Sequence, residues 1–458
     1  MQTPIKRNNN KIVNNLQTDI KKNIIFSMTK LLKKYDVVII GGGTSGCAAA
    51  YNCAKLKLKT LLVEKNNYLG GLMTGGLVIP VMKSSVSELN TDYYKKLIKI
   101  AKKYNAQITY SDKNDGWLNP EILKIALVDL LTSTSTKKYL NILFETSVDE
   151  VIKNGRNIKK VILNSKLLSI PVVSKYYIDC TGSGEFSKKA GCKFLTDNSV
   201  KQENSLRFIV GNVDIKKFTK FILETDKDRD ITNTNRDDIN NDVSSDFELH
   251  FTTASTKNTD KVWALDKYLK LGVKDGSLKE TDRAYFQLFS VAGAKGEVAF
   301  NCPRIKNFNN DIYKSSLSLI SGYKAIWRLY NFVKKYFPGF ENSYIVNIAT
   351  VTGSREERRI VSQYIYKKVD LIKSKKFKNP VLISNYGIDV HSNKNMSTHK
   401  KDVTYELPVE SLISKDVQNL FVSGKLVGAE FEAHSALRVQ KSCMSMAEGI
   451  AKYISKLI

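Results

Sequence analysis

Three glycines and one glutamate near the start of the chain have the types and spacing that bind phosphate and ribose groups. Gly41, Gly43 and Gly46 form the pattern G-x-G-x-x-G, and Glu64 follows Gly43 by 21 residues. Gly41 permits a tight turn, Gly43 lets a diphosphate approach the backbone, and Gly46 lets a helix pack closely on a sheet. Glu64 would accept hydrogen bonds from ribose hydroxyls and repel a 2′-phosphate. These residues predict a dinucleotide site, because the alternative of an ordinary glycine-rich turn leaves Glu64 unexplained.

The elements around this motif are those that a dinucleotide site requires. An apolar strand at 37–40 precedes the glycines, a helix over about 44–56 follows them, and a second strand at 60–63 ends in Glu64. The helix would present its N-terminal N–H groups and the positive end of its dipole to an anion. The glycines of 69–76 (LGGLMTGG) then indicate backbone that lies against a flat or phosphate-bearing ligand.

Two later segments repeat the pattern of an apolar strand that runs into a glycine turn. The first is 176–184 (YYIDCTGSG), and the second is 419–424 (NLFVSG), followed by a helix at about 436–456. Because ligands bind at the carboxyl ends of parallel strands, we expect these turns to meet at one sheet edge. The last helix would add a second positive N-terminus there.

Between these turns the sequence predicts further helices and strands. An amphipathic helix is predicted over 87–105, and Asn119, which precedes a proline, caps the next helix. Strands are predicted at 139–151 and 158–178, and the Asn-Gly pair at 154–155 predicts a hairpin turn.

Residues 196–340 differ in character from the rest and contain no glycine turn of the nucleotide-binding kind. Their mixed pattern predicts an inserted α+β substrate domain that a helix over 313–336 closes. Within it, the polar, low-complexity stretch 225–246 predicts a mobile surface loop. Residues 345–365 then predict a strand, a turn and the start of a charged helix.

Arginine is scarce in this chain, so a group of three is informative. Lysine outnumbers arginine about five to one, yet Arg355, Arg358 and Arg359 lie within five positions. Such a group predicts forked or planar contacts, which arginine makes and lysine does not. Surface ion pairs with Glu356 and Glu357 are the alternative.

The net charge of +27 is compatible with an anionic partner such as RNA. The basic residues are nevertheless spread along the whole chain, which indicates a lysine-coated surface and AT-rich codon usage. A nucleic-acid partner is therefore the less favoured interpretation. No run of 18 apolar residues occurs, so no segment is predicted to span a membrane.

The cysteines and the N-terminus give an expectation about the compartment. The six cysteines include no C-x-x-C pair, so neither a disulfide framework nor a metal site is predicted. With no secretory signal, the reducing cytoplasm is the expected location. Residues 1–34 predict a disordered basic leader, or an extension upstream of a start at Met28, with a targeting peptide as the alternative.

Six segments together resemble a known family. They are DVVIIGGGTSGCAAA with Glu64, LGGLMTGG, YYIDCTGSGEF followed by AGCKF, REERRIVSQYI, NYGIDVHS, and NLFVSGKLVGAEFEAHSALRVQKSCMSMAEG. In this order they resemble the FAD-dependent oxidoreductases with the two-dinucleotide-binding-domain flavoprotein fold, over about 35–195 and 340–456. The resemblance implies an α/β fold. A Rossmann-like FAD-binding domain with a parallel central sheet would span 35–195 and 341–458, and the inserted domain would interrupt it at 196–340.

The resemblance also implies FAD as the cofactor, bound without a covalent link. A helix N-terminus beside the isoalloxazine would stabilise the negative charge of a reduced flavin. The implied FAD-binding residues are Gly41, Gly43, Ser45, Gly46, Thr181 and Gly182 at the diphosphate, Glu64 at the adenosine ribose, Val148 at the adenine, Gly424, Arg438 and Val439 at the isoalloxazine, and Lys65, Gly71, Met73 and Thr74 beside the second strand.

Some positions depart from the family pattern. Lys425 stands where arginine is usual, Phe431 where histidine is usual, Ala447 where glycine is usual and Cys180 where alanine is usual. These departures leave FAD binding intact, but they remove the basis for carrying over a substrate. The lack of cysteine in LGGLMTGG argues against a disulfide reductase.

The candidate catalytic groups over the flavin are His391, Glu432, His434 and Arg355. A histidine near the ring could accept a substrate proton as hydride leaves. Structural histidines and a solvated glutamate are the alternatives. The implied function is hydride transfer between a small-molecule substrate and FAD, with the substrate and the electron acceptor unidentified. A flavin-binding RNA-modification protein and an NAD-dependent dehydrogenase are the alternative functions.

Overall fold

The computed structural model describes most of the chain downstream of the predicted leader, of which only Lys34 is included. The described residues are 34–82, 89–110, 114–166, 168–196, 201–235, 249–255, 263–283, 285–308, 311–390, 396–398 and 403–458. Within these ranges, no helix combines the length and the apolarity that crossing a bilayer requires.

The described residues form 21 strands and ten α-helices. The strands are β1 Lys34–Ile40, β2 Thr60–Val63, β3 Gln107–Ile108, β4 Trp117–Leu118, β5 Leu140–Leu143, β6 Ser147–Asn154, β7 Asn157–Ser165, β8 Leu168–Asp179, β9 Asn204–Ser205, β10 Phe208–Gly211, β11 Thr232–Thr234, β12 Phe251–Ala254, β13 Gln287–Ser290, β14 Val298–Phe300, β15 Arg304–Ile305, β16 Tyr344–Ile348, β17 Pro380–Ser384, β18 Ile388–Val390, β19 Met396–Thr398, β20 Tyr405–Pro408 and β21 Leu420–Val422. The α-helices are α1 Thr44–Lys55, α2 Asp92–Lys103, α3 Pro120–Leu131, α4 Glu185–Lys189, α5 Ile215–Thr225, α6 Asp266–Lys274, α7 Ile312–Tyr336, α8 Lys368–Ile372, α9 Phe431–Leu437 and α10 Gln440–Ser455.

The first sheet has the parallel core that the sequence predicts. Its parallel strands run in the order β5-β2-β1-β8-β21, and the antiparallel hairpin β6–β7 extends the sheet along the long strand β8. Strand order reverses direction between β1 and β8, which places a ligand crevice at their carboxyl ends. The predicted α/β fold is therefore confirmed.

Strand β1 is buried on both faces because successive residues contribute to two separate cores. Val37 and Ile39 belong to the large core that includes α1 and α10, whereas Val38 and Ile40 pack with residues of the β6–β7 hairpin and α4. Helix α10 packs against α1, so the C-terminal helix completes the layer that the first helix begins. This arrangement fixes the N-termini of both helices at one edge of the sheet.

Two local predictions in the first half are confirmed. Asn154 pairs with Asn157 across a turn in which Gly155 has φ = +57°. Asn119 caps α3, because its Oδ1 accepts hydrogen bonds from the backbone N–H groups of Glu121 and Ile122 at 3.0 and 3.1 Å.

The second sheet is antiparallel, in the order β11-β12-β13-β14-β10-β16. Aromatic residues fill its core; the rings of Phe208 and Phe300, for example, stack with centroids 4.3 Å apart. Strand β16 lies beyond residue 340, where the sequence places the end of the inserted domain. The second sheet therefore takes its edge strand from the segment that the sequence analysis assigns to the FAD-binding domain.

The prediction of a surface loop over 225–246 is wrong for a few of its described residues. Residues 232–234 form strand β11, and Thr232 is fully buried. Its Oγ1 donates to Asp226 Oδ2 at 2.9 Å and lies 2.7 Å from Thr253 Oγ1 on β12. Tertiary pairing thus orders a stretch whose polarity indicates a loop. Residues 236–246 of the prediction lie outside the described residues.

The predicted helix start after Gly353 is also wrong, since 355–365 contains no helix. Two arginine side chains of this segment instead donate hydrogen bonds to backbone carbonyl groups that are distant in sequence. Arg355 Nη1 donates to Glu203 O, and Arg359 Nη1 donates to Ala429 O, both at 2.6 Å. An irregular backbone lets neighbouring arginines reach opposite sides, which the fixed spacing of a helix does not allow.

Candidate flavin-binding cavity

The turn from β1 into α1 forms the floor of the site. Gly41 has φ = +100°, and a Cβ there would lie 2.6 Å from the carbonyl oxygen of Cys180. A Cβ on Gly46 would overlap the carbonyl oxygen of Gly41, so glycine lets α1 begin this close to the strand. Thr44 and Ser45 line the cavity, where the unbonded N–H groups of the first helical turn favour an anion.

A second pair of glycines forms a narrow cradle beside this turn. A Cβ on Gly71 would lie 2.9 Å from the Cα of Gly43, and both glycines line the cavity. The Gly70 N–H donates to Gly42 O at 2.9 Å, which holds the two backbone segments together. The cradle therefore leaves room for a ligand to contact bare backbone, as a diphosphate requires.

Glu64 is fixed at the end of β2 by hydrogen bonds to both carboxylate oxygens. Its Oε2 accepts from the Gly42 N–H at 2.5 Å, and its Oε1 accepts from the backbone and side-chain nitrogens of Asn66 at 2.8 and 2.7 Å. The side chain is buried and lines the cavity with its neighbours Lys65 and Asn66. An oriented carboxylate is thus available at this end for ligand hydroxyls.

Asp179 at the end of β8 organises the second turn, and sequence reasoning missed it. Its Oδ1 accepts from the N–H and hydroxyl of Thr181 at 2.9 and 2.7 Å, and its Oδ2 accepts from the N–H and hydroxyl of Ser187 at 2.8 and 2.6 Å. Burial raises the pKa of this carboxyl, while these hydrogen bonds oppose that rise. The signal was an acidic residue at the end of an apolar strand, as for Glu64.

The third turn brings the C-terminal segment to the same edge. Gly424, which follows β21, lies against Ser45, whose Oγ would be 2.6 Å from a Cβ on that glycine. Val439 precedes the first residue of α10 and lines the cavity. Arg438 Nη2 donates to Asp389 O at 3.0 Å and forms an ion pair with Asp389 Oδ2 at 3.4 Å. Two helix N-termini, of α1 and α10, therefore meet one cavity.

These three turns enclose a single cavity of about 770 Å³. Glu64, Thr181 and Arg438, which come from the three separate parts of the chain, all line it. Its volume is in the range of sites that enclose cofactors and small molecules. The three turns therefore meet at one place, as the sequence analysis expects.

Most of the sequence-predicted binding residues line this cavity, and three do not. Met73 is fully buried in the core, and Thr74 is fully buried with its Oγ1 donating to Leu69 O at 2.5 Å. Gly46 shapes the floor without lining it. The predicted residues that line the cavity are Gly41, Gly43, Ser45, Glu64, Lys65, Gly71, Val148, Thr181, Gly182, Gly424, Arg438 and Val439.

Among the four candidate catalytic residues, the structure brings Arg355 to the cavity. Glu432 forms an ion pair with Lys368 at 2.7 Å and does not line it. His434 is fully buried behind the lining, and its Nε2 lies 2.9 Å from Lys425 O. Burial and the nearby positive charge of Arg359 lower the pKa of His434 to about 3, so the ring is neutral. His391 lies outside the described residues.

The cavity is also lined by polar residues that sequence reasoning missed. Arg207 immediately precedes strand β10, and Arg304 is the first residue of β15. Both line the cavity, together with Tyr285, Gln287 and Asn301. The guanidinium carbon of Arg304 lies 4.0 Å from the centroid of the Tyr285 ring. The scarcity of arginine, which drew attention to Arg355, was the available signal for these two arginines as well.

Parts of the chain are similar in sequence to known enzymes. Over 64 residues the chain is 39% identical to the thiamine thiazole synthase of Aeropyrum pernix, which is 13% of this chain and 24% of that enzyme. Over 187 residues it is 30% identical to the tRNA uridine 5-carboxymethylaminomethyl modification enzyme MnmG of Karelsulcia muelleri, covering 37% of this chain and 29% of that enzyme. The matches thus span about a quarter of the length of these curated relatives.

Among solved structures, a geranylgeranyl bacteriochlorophyll reductase-like protein from Thermoplasma acidophilum superposes with a TM-score of 0.43 at 14% identity. The superposition covers 93% of this chain and 78% of that one. The family described as FAD dependent oxidoreductase matches residues 36–455, nearly the whole chain. The chain belongs to this FAD dependent oxidoreductase family, and FAD is its cofactor.

Proposed function

We propose that this flavoenzyme transfers a hydride between a small-molecule substrate and FAD held non-covalently in the cavity between its two sheets. The observation that supports this proposal most directly is the meeting of three glycine turns in one cavity, which an oriented Glu64 and a second helix N-terminus also line. An ordinary α/β sheet has no need to bring these groups together.

The residues present fit an extended dinucleotide. The bare backbone of Gly43 and Gly71 would admit the diphosphate, since a side chain at either position would occupy that space. Glu64 would accept hydrogen bonds from the adenosine ribose. Thr181 would hold the diphosphate from the side of β8, on the turn that Asp179 fixes.

When bound, FAD supplies the hydride-transfer chemistry. The first turn of α10, at Gln440, would stabilise negative charge placed beside it, because its N–H groups have no partners within the helix. Arg438 adds a guanidinium, held by Asp389. Arg355 can orient a substrate but cannot accept a proton. In this proposal His434 and Glu432 have structural roles.

A cofactor-content measurement tests the proposal. The purified protein should be yellow, should be bleached by dithionite, and should release FAD when denatured. Glu64→Gln should weaken FAD binding by roughly 10- to 100-fold, as expected for losing hydrogen bonds to a charged acceptor. Glu145→Gln is a matched control, because Glu145 is exposed in its ion pair with Lys166. A colourless protein that FAD cannot reconstitute, but that binds NADH, would contradict the proposal.

We also propose the cytoplasm as the compartment. All six cysteines are free and buried, and burial raises the pKa of Cys47, Cys53 and Cys302 to about 12, so these thiols stay protonated and unreactive.

The alternative of a flavin-binding RNA-modification protein makes a different prediction. It predicts that the protein binds RNA and that its affinity for RNA falls steeply as the salt concentration increases. Filter-binding measurements at a series of salt concentrations test this alternative.

A further inference from the structure

Four arginines line the same cavity. Arg207, Arg304, Arg355 and Arg438 all line it, in a chain where lysine outnumbers arginine about five to one. Arg207 and Arg355 are more than nine-tenths buried. They come from positions up to 231 residues apart, so their convergence is a property of the fold.

These guanidinium groups lie close enough to repel one another. Burial lowers the pKa of Arg355 well below its usual value, and the charges of Arg304, Arg438 and Arg207 lower it further. Burial likewise lowers the pKa of Arg207 to about 10. Placing like charges together in a buried cavity is unfavourable unless an anion joins them.

Carboxylates lie near some of these arginines, but two of the four have no carboxylate partner among the described residues. Asp389 forms its ion pair with Arg438. Glu203 lines the cavity and raises the pKa of Arg304. Within the described part of the chain, Arg207 and Arg355 form no ion pair with a carboxylate and donate to backbone carbonyl oxygens, at 3.1 and 3.2 Å for Arg207 and 2.6 Å for Arg355.

A neutral network holds Arg304 in place. Its guanidinium stacks on Tyr285, whose hydroxyl donates to Gln287 Oε1 at 2.9 Å, while Asn301 Nδ2 donates to the same oxygen at 2.8 Å. The Nε of Arg207 is buried without a hydrogen-bond partner. These groups form a rigid set of planar donors around a space that an acceptor can enter.

We infer that Arg207, Arg304 and Arg355 bind a carboxylate group of the substrate, so that the substrate is a small organic acid. This inference rests on the proposed function and specifies its substrate class. Planar guanidinium groups bind the two oxygens of a carboxylate in forked geometry, and the energy of such bonds is large where water is excluded. The FAD diphosphate is a poor candidate for this anion. Its cradle is formed by the turns that follow β1 and β2, whereas Arg207 precedes β10 and Arg304 lies in β15.

A binding experiment on the FAD-loaded enzyme tests the inference without turnover. The absorbance of the bound flavin is followed during titration with benzoate, and separately with benzamide, which has the same shape and no charge. Inorganic phosphate is the third probe. We expect saturable perturbation by benzoate, and binding of benzamide and phosphate that is weaker by about tenfold or more. Equal affinities for benzoate and benzamide, or tighter binding of phosphate than of benzoate, would overturn the inference.

Substitutions test whether the arginines are responsible for benzoate binding. Arg207→Gln should weaken benzoate binding by about 10- to 100-fold while leaving benzamide binding unchanged. Arg207→Lys should give an intermediate result, because it keeps the charge and loses the fork. Arg156→Gln removes the same charge from an exposed site and should have no effect. If Arg207→Gln fails to fold, the comparison of benzoate with benzamide on the unmodified enzyme still tests the inference.

The FAD content of the protein distinguishes a failure of the carboxylate inference from a failure of the proposed function. A protein that contains FAD but binds benzoate no better than benzamide contradicts the carboxylate inference and leaves the proposed function intact. A protein that cannot bind FAD contradicts the proposed function first.

Discussion

Gly41 and Cys180 lie in direct backbone contact where strand order reverses in the first sheet. A Cβ on Gly41 would lie 2.6 Å from the Cys180 carbonyl oxygen and 2.9 Å from the Thr181 nitrogen. The two residues immediately follow the neighbouring parallel strands β1 and β8, whose last paired residues are Ile40 and Asp179. This contact joins the first and second glycine turns into one floor for the cofactor.

Gly41→Ala should abolish FAD binding and lower stability. The alanine would have to adopt φ = +100° and would also meet the backbone of β8, so the turn must move. Gly155→Ala is the matched control, since Gly155 also has positive φ but open space around its Cβ position. It should cost about 1–2 kcal/mol of unfolding free energy and retain FAD. Equal FAD contents in the two variants, measured by absorbance, would show that the contact is unimportant.

Asp179→Asn should loosen the second turn. In the variant, an NH2 group replaces one of the two carboxylate oxygens. That group faces the donors of either Thr181 or Ser187 and cannot accept from them, so two of the four hydrogen bonds are lost. We expect a loss of about 2–3 kcal/mol of unfolding free energy, measured by urea denaturation, and weaker FAD binding. Asp149→Asn, at an exposed position, should leave both unchanged. Unaltered stability in Asp179→Asn would contradict the role assigned to this carboxylate.

Two buried histidines should make the protein labile to acid. Burial lowers the pKa of both His250 and His434 to about 3, whereas an unfolded histidine titrates near 6.5. Because the unfolded state then binds more protons, stability is complete above pH 6.5 and is lost as the pH falls toward 3. Each histidine should contribute about 1.4 kcal/mol per pH unit to this loss below pH 6.

His434→Gln tests both the titration and the absence of a catalytic role. The glutamine amide can still donate to Lys425 O, but it does not titrate. Denaturation curves at pH 4 to 8 should show a smaller loss of stability for the variant at low pH and a constant difference above pH 7. The rate of flavin reduction should be unchanged. A large fall in that rate at normal FAD content would restore His434 as a catalytic candidate.

Glu448 and Lys452 on α10 should contribute unequally to stability, although they form one ion pair at 2.8 Å. Glu448 is fully buried, and its Oε2 accepts from the Tyr93 N–H in the first turn of α2 at 3.0 Å. Glu448→Ala should lower the unfolding free energy by about 3 kcal/mol, because a buried donor loses its partner and a cavity forms. Lys452→Ala should cost less than about 1 kcal/mol, since Lys452 is partly exposed. Similar losses for both variants would argue against this account.

Several features of the site were predictable because their cause is local. The steric demands at Gly41, the cap at Asn119 and the turn at Gly155 each depend on a few neighbouring residues. Glu64 was predictable because the length of a helix and a strand fixes its distance from Gly43. The incorrect helix after Gly353 shows the limit of such reasoning, since Arg355 and Arg359 are held by carbonyl groups of residues far away in sequence.

By itself, the sequence determined that three strand–glycine units exist and that one of them has the spacing of a dinucleotide site, because chain connectivity and backbone sterics decide these points. Tertiary structure decided which polar side chains share the cavity. It buried His434 and turned Glu432 toward Lys368, and it brought Arg207 and Arg304 to Arg355. Those outcomes depend on how elements that are far apart in the chain pack against each other, and no local pattern in the chain encodes the distance between residues on different elements.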